Sequence, residues 1–431
     1  MSPSILLIVS FFVFLFLNIS IAWALGLSVM LYIMNSGFMS MDFIATSMFT
    51  GADNFPLMAI PLFILAGAVM QSGGIARRLI DLADAFVGHK RGGLAIASIL
   101  GCMFFSSITG SSAATVATIG SIMVPSMIER GYSKGFSYAL VAAAGTLGVL
   151  LPPSIPIVTF GVATNASIAT MFMGTIGVGL LIGLLLMLFA YIICRKNGYQ
   201  GNGLTFSYAR LFSTLKSSIG ALMMPVIIMG GIYGGFFTPT EAASIAVFYG
   251  IIVGAFGYRE LTFKGLFNAL STSAVTTSTI MVVVATAIAL ARIMTLERLP
   301  VALAAFISGL TDSPAMVLLI IQVALLIIST IMDGTPAILI LAPILTPIAV
   351  SYGIDIIHFG LMMVLNIVIG FITPPVGLNL FVATSLGNIE FHVLIKNLMP
   401  FLFAMLIGLL LVTYVPAISL GVPWLLMGYG R

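Results

Sequence analysis

Charge is what this chain has least of. Lysine and arginine number 16 and aspartate and glutamate 12 among 431 residues. That is 6%, against roughly 25% in an ordinary soluble domain, and it excludes a soluble globular protein. Cysteine is scarce too: Cys102 and Cys194 lie far apart in apolar segments and read as small core residues, not as a disulfide or metal pair. His89, His358 and His392 fall at the ends of apolar segments without ligand spacing and read as interfacial. There is no G-x-x-x-x-G-K-[ST] phosphate loop, no soluble nucleotide domain and no paired-carboxylate or nucleophile–His–Asp set, which argues against ATP-driven pumping and against an enzyme. The net charge of +4 reflects orientation charges on loops and implies no nucleic acid.

What is present is apolar. AVILMFWYC residues make up 61% and the mean hydropathy is +1.23. The apolar runs reach the roughly 20 residues that cross a hydrocarbon core about 30 Å thick. Segments such as 178–194 are apolar on every face, unlike the alternating strands of a membrane barrel, so the chain reads as an all-α polytopic membrane protein. The run from Pro3 to Trp23 has no basic residue before it and no small-residue cleavage site, and is read as membrane-embedded, not as a signal peptide. Residues 3–40 form either one long tilted helix or two short ones, with the N-terminal side left open. The longest polar connection, 195–216, reads as a linker between halves.

Those halves repeat each other. Setting 125–153 against 347–375 aligns Pro125 with Pro347, Gly131 with Gly353, Gly148 with Gly370, and Pro152-Pro153 with Pro374-Pro375, at a constant offset of 222 without a gap. Each half holds a charged amphipathic segment, a long apolar stretch with a polar break, and an apolar helix interrupted by Pro-Pro. The breaks are SSITGSS (106–112) and STIMDGTP (329–336), with flanks of about 14 residues, too short to span alone. Half-length helices joined by a polar tip predict re-entrant hairpins, tolerated at membrane depth where the irregular backbone is buried or faces water. With hairpins that enter and leave on one side, 13 of the 16 basic residues share one face, leaving only Arg292, Arg298 and Arg431 elsewhere. That face is the cytoplasm, and the repeats are inverted. The expected division is 1–91 scaffold with a cytoplasmic arm, 92–194 transport part, 195–313 linker and scaffold with an external arm, and 314–431 second transport part.

Opposed hairpins and broken helices bring helix ends to the midplane, where freed carbonyls hold cations and free N–H groups hold anions. Each Pro-Pro frees oxygens four residues earlier, around Gly148 and Val149 and around Gly370 and Phe371. With Ser106, Ser107, Thr109, Ser111 and Ser112 at one tip and Ser329 and Thr335 at the other, these oxygens suit sodium. Close helix packing is the bland reading of such Ser, Thr and Gly residues. Asp333 is the one acidic residue placed in the membrane core, as a helix cap and support for a cation or as a direct ligand. Arg292 either forks onto a substrate carboxylate or pairs with Glu297. Arg292, Ser111 and Asp333 are the candidate substrate contacts.

At GSSAATVATIGSIMVP (110–125), GTLGVLLPPSIP (145–156), MDGTPAILILAPILTPIA (332–349) and GFITPPVGLNLFV (370–382), the chain resembles the large membrane subunit of tripartite ATP-independent periplasmic (TRAP) transporters, along essentially its whole length. The resemblance implies an elevator-type, sodium-coupled importer in the bacterial inner membrane. It also implies a small four-helix membrane subunit and a periplasmic binding protein that delivers an organic acid, with no ATP. The sialic-acid branch is favoured and the C4-dicarboxylate branch comes next. Family sodium sites fall on Ser106, Ser111, Ser112, Gly145 and Val149 in the first half, and on Gly334, Thr335, Gly370 and Thr373 in the second. An ion channel and a stand-alone sodium/dicarboxylate symporter are the alternatives.

Overall fold

The apolar N-terminal run folds as two short helices, α1 (Pro3–Phe16) and α2 (Ile21–Ser36), in a computed structural model that describes residues 3–37, 40–387 and 389–430. Asn18, at φ 62°, reverses the chain between them, in left-handed backbone that Asn tolerates better than branched residues do. Next come α3 (Asp42–Ala52), α4 (Ala59–Ser72) and the arm α5 (Ile75–Val87). A hairpin of α6 (Gly93–Thr109) and α7 (Ser112–Glu129) follows, then α8 (Lys134–Ala144) and α9 (Ile155–Thr164), separated by a tight turn at Gly145–Val149, and the long α10 (Ile168–Asn197). The second half runs through α11 (Tyr208–Tyr233), α12 (Pro239–Ile252), α13 (Phe263–Leu296) and the arm α14 (Leu299–Ser308). It continues with a hairpin of α15 (Pro314–Ser329) and α16 (Gly334–Ser351), then α17 (Ile356–Gly370), α18 (Leu378–Ser385), α19 (Phe391–Tyr414) and α20 (Pro416–Met427). Among the described residues there is no strand, and eight helical segments are long and apolar enough to cross a membrane.

The sequence of arm, hairpin, interrupted helix and long helix thus occurs twice. Its hairpin arms are longer than the flanks the sequence suggested: 17 and 18 residues in the first and 16 and 18 in the second. At 1.5 Å per residue each is about 25 Å long. The reason is that the tip hydroxyls stay helical. Ser107 Oγ donates to Phe104 O at 2.7 Å and Thr109 Oγ1 to Phe105 O at 3.4 Å, so neither needs a loop to be satisfied. The first break shrinks to Gly110, left-handed at φ 59°, and Ser111, which caps α7 by accepting from Ala114 N. In the second, Asp333 Oδ1 accepts from Gly334 N at 2.7 Å and starts α16.

The arm α5 buries Ile75, Ala76, Leu79, Ile80 and Ala83, at helical spacing, and turns its charges outward. Arg78 pairs with Glu260 and Asp84 with Arg210, each at 2.7 Å, and the Arg78 guanidinium lies 3.8 Å over the Tyr258 ring. Non-helical residues 198–207 carry the linker across the same end. Asn202 N donates to Gly88 O at 2.7 Å and Tyr132 OH to Gln200 O at 2.8 Å, while the Tyr132 and Tyr199 rings stack at 4.4 Å. One strap thereby holds both the turn after α5 and the turn after α7.

Two placements differ from the sequence reading. His358 is buried in the first turn of α17 and not interfacial: its Nδ1 meets Ser419 Oγ at 2.6 Å and its Nε2 meets Thr413 O at 3.1 Å. A neutral ring with Nε2–H toward the carbonyl and Nδ1 accepting from Ser419 satisfies both nitrogens, which is why burial is tolerated. The N-terminal ambiguity resolves into two helices whose outer ends meet Glu297, which accepts from Ser4 Oγ at 2.5 Å and from Tyr32 OH. Arg431 lies outside the described residues. Cys102 and Cys194 are buried and unbonded.

Candidate functional site

The two interrupted helices do not pack only within their own halves. α9 lies against α16 of the second hairpin, and α18 lies against α7 and α8 of the first. Each tip is therefore walled partly by the opposite half.

At the first tip the turn Gly145–Val149 leaves its carbonyls facing the hairpin, because the following Pro152-Pro153 cannot continue the helix. Ser106 Oγ donates to Leu147 O, and Ser112 Oγ lies 3.0 Å from Gly145 O. Val149 O accepts from Ser154 Oγ at 2.6 Å. A Cβ on Gly148 would lie 2.6 Å from Ser111 O, closer than such atoms ever come, so only glycine lets the turn meet the tip. The structure thus brings Ser106, Ser111 and Ser112 against the turn Gly145–Val149, with Val149 O itself taken by Ser154, and adds a residue the sequence reading missed. Asn379, fully buried at the start of α18, has its Oδ1 2.9 Å from Ser112 Oγ and donates its Nδ2 to Ala142 O at 2.9 Å. Turning the amide over would set Oδ1 against the Ala142 carbonyl, so the orientation is fixed by its partners. Ser112 then has one proton for two acceptors, and one close oxygen–oxygen contact lacks a hydrogen. Such an excess of neutral oxygens fits a weakly charged hard cation.

At the second tip, Ser329, Asp333 and Gly370 line one cavity of about 200 Å³, closed by Phe371, Gly377 and Leu378. A Cβ on Gly370 would lie 2.4 Å from Ser329 O, matching the approach at Gly148. Gly334 faces Phe371, whose ring a Cβ would meet at 2.8 Å. Thr335 is buried in α16 and Thr373 Oγ1 donates back to Ile369 O at 2.8 Å; neither lines this cavity. The second set of expected ligands is therefore gathered less completely than the first.

Arg292 stands elsewhere. It lines a cavity of about 470 Å³ between α3 and α13 on one side and α9 and α16 on the other, with Thr50, Asn54 and Thr295 as further polar walls. Among the described residues it has no ion pair and no hydrogen bond, and Glu297 is engaged by Ser4 and Tyr32 instead. Those two donors, Ser4 first, hold the Glu297 carboxyl below its ordinary 4.5. A second cavity of about 370 Å³ shares Asn54 and Val162 with the first and includes Asn165, Ser167 and Thr240. The three expected substrate contacts are not brought together: Arg292 lines one cavity, Asp333 another, and Ser111 neither. Away from these two cavities, α4 meets the first hairpin directly. Gln71 Nε2 donates to Thr118 Oγ1 at 2.7 Å, and a Cβ on Gly67 would lie 3.1 Å from Thr109 Cα.

Comparison with known proteins agrees with this architecture. Residues 8–418 match the family model described as the tripartite ATP-independent periplasmic transporter, DctM component. The chain is 47% identical over 410 residues to the isethionate TRAP transporter permease protein DctMQ of Oleidesulfovibrio alaskensis, covering 95% of this chain but only 65% of that longer protein. It is 44% identical to the C4-dicarboxylate TRAP transporter large permease protein DctM of Pseudomonas aeruginosa, over 93% of this chain and 94% of that one. Identity to the sialic acid TRAP transporter large permease protein SiaM of Vibrio cholerae is 36%, over 97% of both. The fold is shared with the YdaH transporter of Alcanivorax borkumensis, at a TM-score of 0.61 and 17% identity over 90% of this chain and 88% of that one. The MtrF structure of Neisseria gonorrhoeae gives 0.59 and 14%, over 88% and 85%. By the family model that spans residues 8–418 and by these relatives, the chain belongs to the DctM family, the large permease component of TRAP transporters: a multi-pass inner-membrane transport protein and not an enzyme.

Proposed function

We propose that this permease imports an organic acid anion coupled to inward sodium flow, together with a small four-helix membrane subunit and a periplasmic binding protein that delivers the solute. The observation that carries sodium coupling is the surplus of oxygens at the first tip: Ser112 Oγ, Gly145 O and Asn379 Oδ1 converge with a single hydroxyl proton among them. In this reading Ser106, Ser111, Ser112, Gly145, Val149 and Asn379 hold one ion. Gly334, Thr335, Gly370 and Thr373 hold another, with Asp333 capping α16 beside it. Arg292 takes the acid group of the solute, and Ser111 and Asp333 contact the solute as it passes the tips. Sialic acid, a carboxylate, is one solute of this kind.

The transport parts, 92–194 and 314–431, move as an elevator against the scaffold, 1–91 and 195–313. The larger of the two cavities supports that division, because it lies where α9 and α16 face α3 and α13, and the second continues it between α9 and the starts of α10 and α12. The test is sodium titration of solute uptake in liposomes carrying the permease, its small subunit and the binding protein. Ser112→Ala should raise the sodium concentration for half-maximal uptake about tenfold, one lost ligand amounting to about 1.4 kcal/mol. Unchanged sodium dependence in a folded variant would remove the assignment.

A further inference from the structure

We infer that the transported solute is a small hydroxylated monoanion, with a carboxylate or sulfonate on Arg292 and its hydroxyl toward Asn54. This rests on the assignment of Arg292 as the anion contact and goes on to say what the anion is.

Arg292 is the one charged residue among the described residues that line either of the two cavities that share Asn54. The other polar walls are neutral: Thr50 and Thr295 in the first cavity, Asn165 and Thr240 in the second, and Asn54 in the wall common to both. The charged residues that adjoin these walls along the chain, Asp42 beside Phe43, Asp53 beside Asn54, Glu241 beside Thr240 and Glu297 beside Leu296, are all acidic and themselves line neither cavity. A guanidinium fork matches one planar or trigonal oxyanion head. A second anionic group a few ångströms further would leave water with no cation to meet, a cost that selects against it. A hydroxyl at the same place finds amide and hydroxyl partners and keeps its hydrogen bonds. Charge balance and wall chemistry thus point the same way, toward one negative charge and a neutral polar tail.

Binding to the permease with its small subunit in lipid nanodiscs, with sodium and without the binding protein, separates this from the selectivity of the delivery step. The probes are isethionate, 3-hydroxypropanoate, ethanesulfonate and succinate at pH 8, where succinate carries two charges. The hydroxylated monoanions should bind at least tenfold more tightly than succinate, and ethanesulfonate severalfold more weakly than isethionate. Asn54→Lys, which adds a cation in the shared wall, should shift preference toward succinate by tenfold or more. Succinate binding as tightly as the best monoanion, with Arg292→Ala abolishing both, would overturn the monoanion inference and leave Arg292 as the anion contact. Equal binding to wild type and Arg292→Ala, or no binding of any probe to wild type, would overturn the Arg292 assignment and this inference with it.

Discussion

Ser112 Oγ stands 2.9 Å from Asn379 Oδ1, although 267 residues separate the two in the chain. The contact joins the first hairpin to the interrupted helix of the second half and closes a ring of oxygens that neither half supplies alone. Asn379→Leu should therefore raise the sodium requirement of uptake about tenfold, whereas Asn379→Asp, by adding charge at the ring, should lower it. A sodium titration of both variants checks the signs, and identical curves would place Asn379 outside the ion site.

The glycines at equivalent positions of the two halves, Gly148 and Gly370, each hold backbone against a hairpin tip. Alanine at either would drive a Cβ to within 2.6 Å of Ser111 O or 2.4 Å of Ser329 O, and backbone cannot step aside as a side chain can. Each variant should lose about 1–3 kcal/mol of stability and most of its uptake. Gly230→Ala, in the last turn of α11 with no atom within 4 Å, is the control and should melt at or above the wild-type temperature. A folded, active Gly148→Ala protein would contradict the close approach.

Arg292→Ala and Arg292→Lys should both impair uptake by tenfold or more while sodium binding persists, because lysine offers a point charge in place of a fork. Glu297→Gln should not reproduce that loss, since Glu297 is engaged by Ser4 and Tyr32 and not by Arg292. Uptake kinetics of the three variants side by side provide the check, and an Arg292→Lys protein that transports normally would make the residue structural.

Glu297 carries its own pH dependence. Its folded carboxyl is held below 4.5 by the hydrogen bonds from Ser4 and Tyr32, so its contribution to holding α1 and α2 is present above the ordinary carboxyl range. It is lost as pH falls through the lowered folded value. Hydrogen exchange of residues 3–36, corrected for intrinsic rate, should be flat from pH 8 to 6 and accelerate in the acid range. Glu297→Gln should exchange faster than wild type at neutral pH, with little further dependence.

Much of this arrangement is legible in sequence because backbone chemistry marks it. Pro-Pro pairs must interrupt a helix, Gly110 and Asp333 punctuate the tips, and a lone arginine at the end of an apolar run must find a polar surface. The lengths of the hairpin arms were not legible, since Ser and Thr bond equally well within a helix or at its end. Asn379 was hidden for a different reason: its partners Ser112 and Ala142 lie in the other half, and no local pattern signals so distant a contact. The burial of His358 likewise depends on Ser419 and Thr413, residues from separate helices.

In the function proposed above, an inward sodium gradient drives solute uptake through this permease with its two partners. Radiolabelled isethionate uptake into liposomes holding the permease and its small subunit, with the binding protein outside, is the decisive measurement. Accumulation above the external concentration is predicted with sodium outside and potassium inside, collapsing when sodium is equal on both sides and abolished in the double variant Ser112→Ala/Asn379→Leu. Accumulation that persists without a sodium gradient would contradict the account.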